Sequence, residues 1–225
     1  VAERAVPVRL VCFTRGEGGR QMGDPPIATP ETIGRVREQE MHHAARALKA
    51  ASLDFLDHVD RPQGERGHRS PDVNAPQLAL QILALLKKYQ PRAVLTHGSG
   101  GEYGHPAHRL LHEATQSAVE QSKPQPALYG FMACHPSLPR KSFQNTNDWA
   151  HMVIDVRTVE AQRFAILQSH KTQWVLFAGK QDSEAAYKAA LLDRIRRYER
   201  ESYHLFDPGD CGDPLRQWLG ARDIL

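Results

Sequence analysis

The chain has 225 residues, 40% of them hydrophobic and 24% charged, with a net charge of +3. That is enough for a sizeable core, and too mild a charge to indicate nucleic acid, the more so because no lysine and arginine cluster sits beside interleaved aromatics. Three well-separated cysteines (Cys12, Cys134 and Cys211) form no C-x-x-C pair, so neither a disulfide framework nor a zinc ribbon is indicated, and no apolar run is long enough to span a bilayer.

In chain order, the β-branched apolar run Val6–Phe13 reads as a buried strand, followed by the glycine-rich turn T-R-G-E-G-G at 14–19. A polar, proline-bearing loop covers 20–30. Residues 31–51 carry the helical spacing Ile33, Val36, Met41, Ala44, Ala45 and Leu48, with Thr29 before Pro30 as the expected N-cap. A second strand is expected over 53–60, then a long polar loop at 61–75, then a helix over 77–89 that Pro91 ends. Residues 93–97 read as a third strand and 106–121 as a helix opening on Pro106. Strands are expected at 127–134, 152–156 and 203–206, and helices at 159–170 and 183–201. Strand and helix alternate through the first 135 residues. That order predicts an α/β fold: a parallel sheet with helices on both faces. In such sheets ligands bind beyond the carboxyl ends of the strands, where both glycine-rich stretches fall.

The second of these stretches, V-L-T-H-G-S-G-G-E-Y-G-H-P-A-H-R-L-L-H-E-A at 94–114, holds four histidines. Pro106 suits the first helical turn, which makes His105 the N-cap. His105 and His108 then share a face at the helix start, His112 lies one turn deeper, and His97 ends the strand at the same rim. A helix N-terminus disfavours protonated imidazole and so keeps a metal ligand neutral. Zinc nevertheless needs three or four ligands, and spacing alone leaves a metal site and a surface pair of histidines equally open. His42 and His43 read as solvated; His58, His68, His151 and His204 have no partner at ligand spacing and read as structural or surface residues.

Four blocks in order, C-F-T-R-G-E-G-G (12–19), R-V-R-E-Q-E-M-H-H-A-A-R-A-L (35–48), G-E-Y-G-H-P-A-H (101–108) and Q-S-H-K-T-Q-W (168–174), resemble the LmbE-like, or PIG-L, metal-dependent deacetylases. The resemblance runs from Val6 to about Trp174. It implies a Rossmann-like three-layer fold in a single domain over 1–225, and zinc (or another divalent transition metal) as cofactor. The implied reaction is hydrolysis of the N-acetyl amide of a glucosamine-containing small molecule or glycoconjugate. Carried over by motif, His108 is a metal ligand, His105 the catalytic histidine and Tyr103 its partner over the substrate carbonyl. Arg37 of the R-x-x-E helix motif contacts substrate. The same resemblance sets T-R-G-E-G-G on the active-site rim, with Glu17 as a contact to a sugar hydroxyl. Asp60, at the end of the expected second strand, faces the same rim and reads as a substrate contact in preference to a loop N-cap. It further implies a bacterial cytoplasmic protein without a membrane span, assembling as a trimer or hexamer.

Two departures stand out. The family's A-H-P-D-D-E motif, which supplies two metal ligands and the general base, is absent. Val1–Arg4 then reads as the end of the helix that follows it, and a first strand is expected upstream of Val1. The alternative is a catalytically inactive carbohydrate-binding relative. Secondly, Ala107 stands where many members have an aspartate that holds the catalytic histidine protonated. Glu102, three residues from His105, is expected to take that place and tune its pKa. T-R-G-E-G-G lacks the G-K-[ST] ending of a phosphate loop, so a nucleotide site is not expected. His170 is expected to carry a favourable positive charge at a helix end, and Trp174 and Phe177 to lie in the core or a subunit contact.

Overall fold

The computed structural model describes residues 6–62, 64, 67, 69–139 and 143–219. Val1–Arg4 and His68, assigned above from sequence, lie outside these. Along the chain run β1 (Arg9–Cys12), α1 (Ile33–Leu48), β2 (Ser52–Phe55), α2 (Ala75–Tyr89), β3 (Ala93–Thr96), α3 (Pro106–Gln121), β4 (Ala127–Phe131), β5 (Ala133–Cys134), β6 (Asn145–Trp149), β7 (Met152–Asp155), α4 (Glu160–Gln168), α5 (Trp174–Ala178), α6 (Glu184–Arg197), β8 (Arg200–Asp207) and α7 (Pro214–Trp218). The expected alternation of strand and helix is present. Strand β6 and helices α5 and α7 were not expected.

Contacts divide the chain into two compact units: Val1–Gly67 with Val156–Glu199, and His68–Asp155 with Arg200–Leu225. In the first, β1 and β2 pair in parallel, Arg9 opposite Ser52 through Cys12 opposite Phe55, joined by α1. Helix α1 buries Ile33, Ala44 and Ala45 on the expected stripe. Its N-cap is Thr32, not Thr29. The two threonines bond each other through Thr29 N–H to Thr32 Oγ1 at 2.8 Å, which moves the start past Pro30. Lys49 ends the helix in the left-handed conformation, φ 60°. Trp174, Tyr187 and Leu191 form a buried cluster in this unit, so Trp174 is core, one of the two readings offered for it.

In the second unit β3 and β4 are parallel, β8 runs antiparallel beside β4, and β7 antiparallel beside β8. The pairings β1–β2 and β3–β4, within the first 135 residues, are parallel as expected, and the later strands β7 and β8 make this sheet mixed. Helix α2 starts on a full capping box: Asn74 Oδ1 accepts Gln77 N–H at 2.9 Å while the Gln77 side chain accepts Asn74 N–H. Leu78, Ile82 and Leu86, four apart, are buried, each contributing roughly 1.5–3 kcal/mol of apolar burial. Helix α3 opens as the sequence predicts, with His105 at the N-cap and its Nδ1 accepting Ala107 N–H at 3.3 Å. That places the histidine loop between the carboxyl end of β3 and the amino end of α3.

Candidate functional site

The loop from His97 to Gly104 turns twice. Gly101 N–H bonds Gly98 O at 3.0 Å, and His105 N–H bonds Gly101 O at 3.1 Å. Glu102 lies in the left-handed region at φ 57°, a conformation costing a non-glycine residue roughly 1–2 kcal/mol. Such strain persists only where surrounding bonds hold it. Here Glu102 N–H donates to Asn145 Oδ1 at 2.9 Å. Gly98 packs so closely on Asn145 that a Cβ would stand 2.2 Å from the Asn145 Cγ, so the position admits glycine alone.

The Glu102 carboxylate divides its two oxygens. Oε1 accepts Gly98 N–H at 3.1 Å and Asn145 Nδ2–H at 3.3 Å. Oε2 faces His108 Nδ1 at 2.6 Å and His97 Nδ1 at 2.9 Å. The rings of His97 and His108 stack with centroids 3.8 Å apart, and His105 stacks on His108 at 4.4 Å. Tyr103 stands edge-on to both His105 and His108 at 5.7 Å, and is 48% exposed. One turn deeper, the buried His112 donates Nδ1–H to His97 O at 2.9 Å and fixes the strand end.

Burial alone would raise the pKa of Glu102. The hydrogen bonds from His108 and His97 outweigh it and hold the carboxyl well below the usual carboxylate range. Burial pushes His97 below its ordinary value, against the opposing pull of Glu102. The donor set is therefore a carboxylate anion between two imidazoles, one of them held toward its neutral form. Among the described residues His97, Glu102 and His108 form a group whose ligand atoms lie within 4.8 Å of one another. Imidazole nitrogen and carboxylate oxygen are zinc-type donors, so these residues fit a divalent transition metal. The bond that Glu102 makes to Nδ1 leaves Nε2 as the ligating nitrogen of His108. A carboxylate behind a metal-binding imidazole is the usual support for such a ligand.

The bonds of the Glu102 carboxylate described above run to His108, His97, Gly98 and Asn145, with its left-handed backbone facing the side chain back toward the strand end.

The residues expected to touch substrate gather in the other unit, around the glycine turn after β1. Arg37 Nη1 donates to Gly16 O at 2.6 Å and Nη2 to Gln21 O at 3.2 Å. Its Nε is buried with no hydrogen-bond partner among the described residues, and burial lowers its pKa. Glu17 accepts Asp60 N–H at 3.0 Å and so ties the loop after β2 to the turn; β2 ends at Phe55, so Asp60 does not stand at the strand end where it was expected. Gly18 lies against Arg61, where a Cβ would meet the Arg61 carbonyl oxygen at 2.2 Å. Arg37, Glu17 and Asp60 are brought together, but two of their charged groups are engaged with backbone. Glu40, the other member of R-x-x-E, is buried and accepts both Thr172 N–H and Thr172 Oγ1–H at 2.7 Å. That anchors the S-H-K-T-Q block to α1. His170, expected to be cationic, is instead pushed toward neutrality by burial, despite the opposing pull of Glu40.

Sequence reasoning missed Asn145 and Asp148. Both are buried on β6, and Asp148 binds the histidine loop through Ser99 N–H at 2.7 Å and Ser99 Oγ–H at 2.5 Å. Buried polar residues three apart on a short strand carry no hydrophobic alternation. The only signal was the crowding of N-T-N-D beside a strand ending.

The sequence matches the PIG-L family, described as GlcNAc-PI de-N-acetylase, over residues 1–119. It is 25% identical to a probable N-acetyl-α-D-glucosaminyl L-malate deacetylase 2 of Bacillus anthracis over 213 residues, covering 91% of this chain and 84% of the relative. Among solved structures, the 4-carboxy-2-hydroxymuconate hydratase GalB of Pseudomonas putida KT2440 superposes with a TM-score of 0.60 at 19% identity, over 92% of this chain and 87% of that one. The zinc-inhibited form of the teicoplanin deacetylase Orf2 superposes with a TM-score of 0.59 at 14% identity, over 91% and 88%. At these identities the superpositions establish the fold, which hosts both a hydratase and a deacetylase.

Proposed function

The chain belongs to the PIG-L family of de-N-acetylases, and from that premise we propose that it is a metal-dependent amide hydrolase. Its proposed substrate is a small N-acetylglucosamine-type molecule, and its products are acetate and the free amine. The observation that carries this reading is the His97–Glu102–His108 group at the β3–α3 junction, with Tyr103 and His105 beside it.

His108 would hold the metal through Nε2, with Glu102 behind it on Nδ1 and His97 completing the group. A divalent metal in such a place polarises an acyl oxygen and makes bound water acidic near neutral pH. The proton of the attacking water would go to the general-base carboxylate of the family's A-H-P-D-D-E motif, which these 225 residues do not contain; the side chains present serve the oxyanion and the leaving group. Tyr103, half exposed, donates its hydroxyl proton toward the amide carbonyl oxygen as negative charge grows there, a contribution of a few kcal/mol for a well-placed donor. His105 accepts Ala107 N–H at Nδ1, so its transferable proton sits on Nε2. From there it protonates the nitrogen of the departing amine. The buried, anionic Glu102 keeps the His108 ring fixed throughout. Arg37, Glu17 and Asp60 shape the glycine turn of the other unit.

The relative acting on a glucosaminyl malate favours a small amino-sugar substrate over a polymer. The test is release of primary amine from N-acetylglucosaminyl malate and from simple N-acetylglucosamine glycosides, by full-length protein loaded with zinc. Amine release abolished by a chelator and restored by metal supports the reading. No release from any N-acetyl sugar sinks it.

A further inference from the structure

We propose that Asn145 is a positioning residue for the His97–Glu102–His108 group, presenting one oxygen of Glu102 to the two imidazoles by holding the other oxygen and the main chain behind it. The proposal rests on the metal-dependent reading above.

Asn145 is 1% exposed. A buried primary amide is costly unless its donors and acceptor are all used. Oδ1 takes Glu102 N–H at 2.9 Å, and Nδ2 donates to Glu102 Oε1 at 3.3 Å and to Phe131 O at 3.1 Å. The network also settles which end of the amide is which. A flipped amide would turn its NH2 on a backbone N–H and its oxygen on a carbonyl and a carboxylate. Gly98, crowded against the Asn145 side chain, prevents it from turning away.

The consequence falls on Glu102. Gly98 N–H and Asn145 Nδ2–H together occupy Oε1, leaving Oε2 as the acceptor for His108 and His97. The same amide holds the left-handed φ of 57° at Glu102, without which the carboxylate would not face back to the strand end. Among the described residues the side-chain bonds of Asn145 run to Glu102 and to the main chain of Phe131 and Met132, so it acts through Glu102. Aspartate at this place would keep the acceptor for Glu102 N–H but set a second carboxylate against Oε1. Alanine would remove both bonds.

The first measurement is the 15N NMR of the His108 ring in the metal-free full-length protein. The parent should show His108 protonated on Nδ1. Asn145→Ala, Asn145→Asp and Glu102→Ala should all lose that preference. Zinc affinity, by competition titration, should fall roughly 10–100-fold in each, the range for loss of a ligand's supporting partner. In the double variant Asn145→Ala should add nothing to Glu102→Ala, because the first acts through the second. A parent protonated on Nε2 overturns the proposal outright, without any variant. So does a folded Asn145 variant that keeps the parent's tautomer and zinc affinity, or a loss that adds in full to that of Glu102→Ala. If Asn145→Ala does not fold, Asn145→Asp decides. These readouts are independent of acetate release. A protein inactive on every N-acetyl sugar but showing these shifts fails the deacetylase reading and leaves the role of Asn145 standing. A parent that binds no zinc fails the metal reading, and the tautomer alone then decides.

Discussion

Glu102 Oε2 accepts the Nδ1 proton of His108 at 2.6 Å. The bond joins a residue in a strained left-handed conformation to one on the first turn of α3. It leaves His108 with a single nitrogen for any further partner. The carboxylate is buried and anionic, so the imidazole facing it is held in one orientation.

The first expected outcome concerns that carboxylate. Glu102→Gln keeps the shape but replaces the anion with a neutral amide. Zinc affinity should drop roughly 10–100-fold, while His105, which Glu102 does not engage through any of the four bonds described above, keeps its role in the loaded enzyme. Competition titration followed by assay at saturating zinc separates the two. Unchanged affinity with a displaced pH–rate limb would return Glu102 to the side of His105.

The two helix-start histidines should separate in the same way. His108→Ala should lose bound metal. His105→Ala should keep metal and lose kcat by roughly 10²–10⁴, the range for a general acid. Metal analysis and steady-state rates on the same preparations check this. Normal kcat in His105→Ala would remove the proposed proton donor.

Arg37 should behave as a fastener of the glycine turn. Arg37→Met removes the bonds to Gly16 O and Gln21 O, and hydrogen bonds from a charged group contribute about 1.5–3 kcal/mol each at most. Urea unfolding should show a loss of about 1–3 kcal/mol for the pair, since part of the buried guanidinium's cost is relieved. A raised KM with unchanged stability would instead make Arg37 a substrate contact and nothing more.

Acid should expose a second network. Asp213 caps α7, accepts Tyr129 O–H at 2.7 Å and bonds His151 Nε2 at 2.8 Å. Burial would raise its pKa, but the bonds from His151 and Tyr129 prevail and hold it at about 2. A folded pKa below the unfolded one, about 3.9, means that this stabilisation is complete above that value and fades as pH falls toward about 2. Stability measured between about pH 4 and 2 should therefore decline, and Asp213→Asn should flatten that slope while lowering stability at neutral pH. An equal slope in the variant would assign the acid sensitivity to other carboxylates.

Much of this architecture was legible in the chain. Pro106 and the histidine spacing placed the start of α3 to the residue, whereas α2 starts at Ala75, two residues before the expected 77, on the capping box of Asn74 and Gln77 that was not read from the sequence. The strands β7 and β8 were readable as strands, but their antiparallel direction was not. Pairing direction is set by tertiary contacts that a local pattern does not carry. Strand β6 was invisible because its two buried residues, Asn145 and Asp148, are polar. The bonds of Glu102 to His97 and His108 were hidden for a related reason: sequence distance favours His105, three residues away, and nothing local announces the positive φ at Glu102. The tie between Glu40 and Thr172 spans 132 positions and leaves no local trace.

One measurement reaches the central claim most directly: reaction of the zinc-loaded full-length protein with an N-acetylglucosaminyl substrate in H₂¹⁸O, with the acetate read by mass spectrometry. Hydrolysis should release one acetate carrying a single ¹⁸O for each free amine formed. No acetate, or an acetyl group moved to another acceptor without ¹⁸O, would contradict a water-attacking deacetylase.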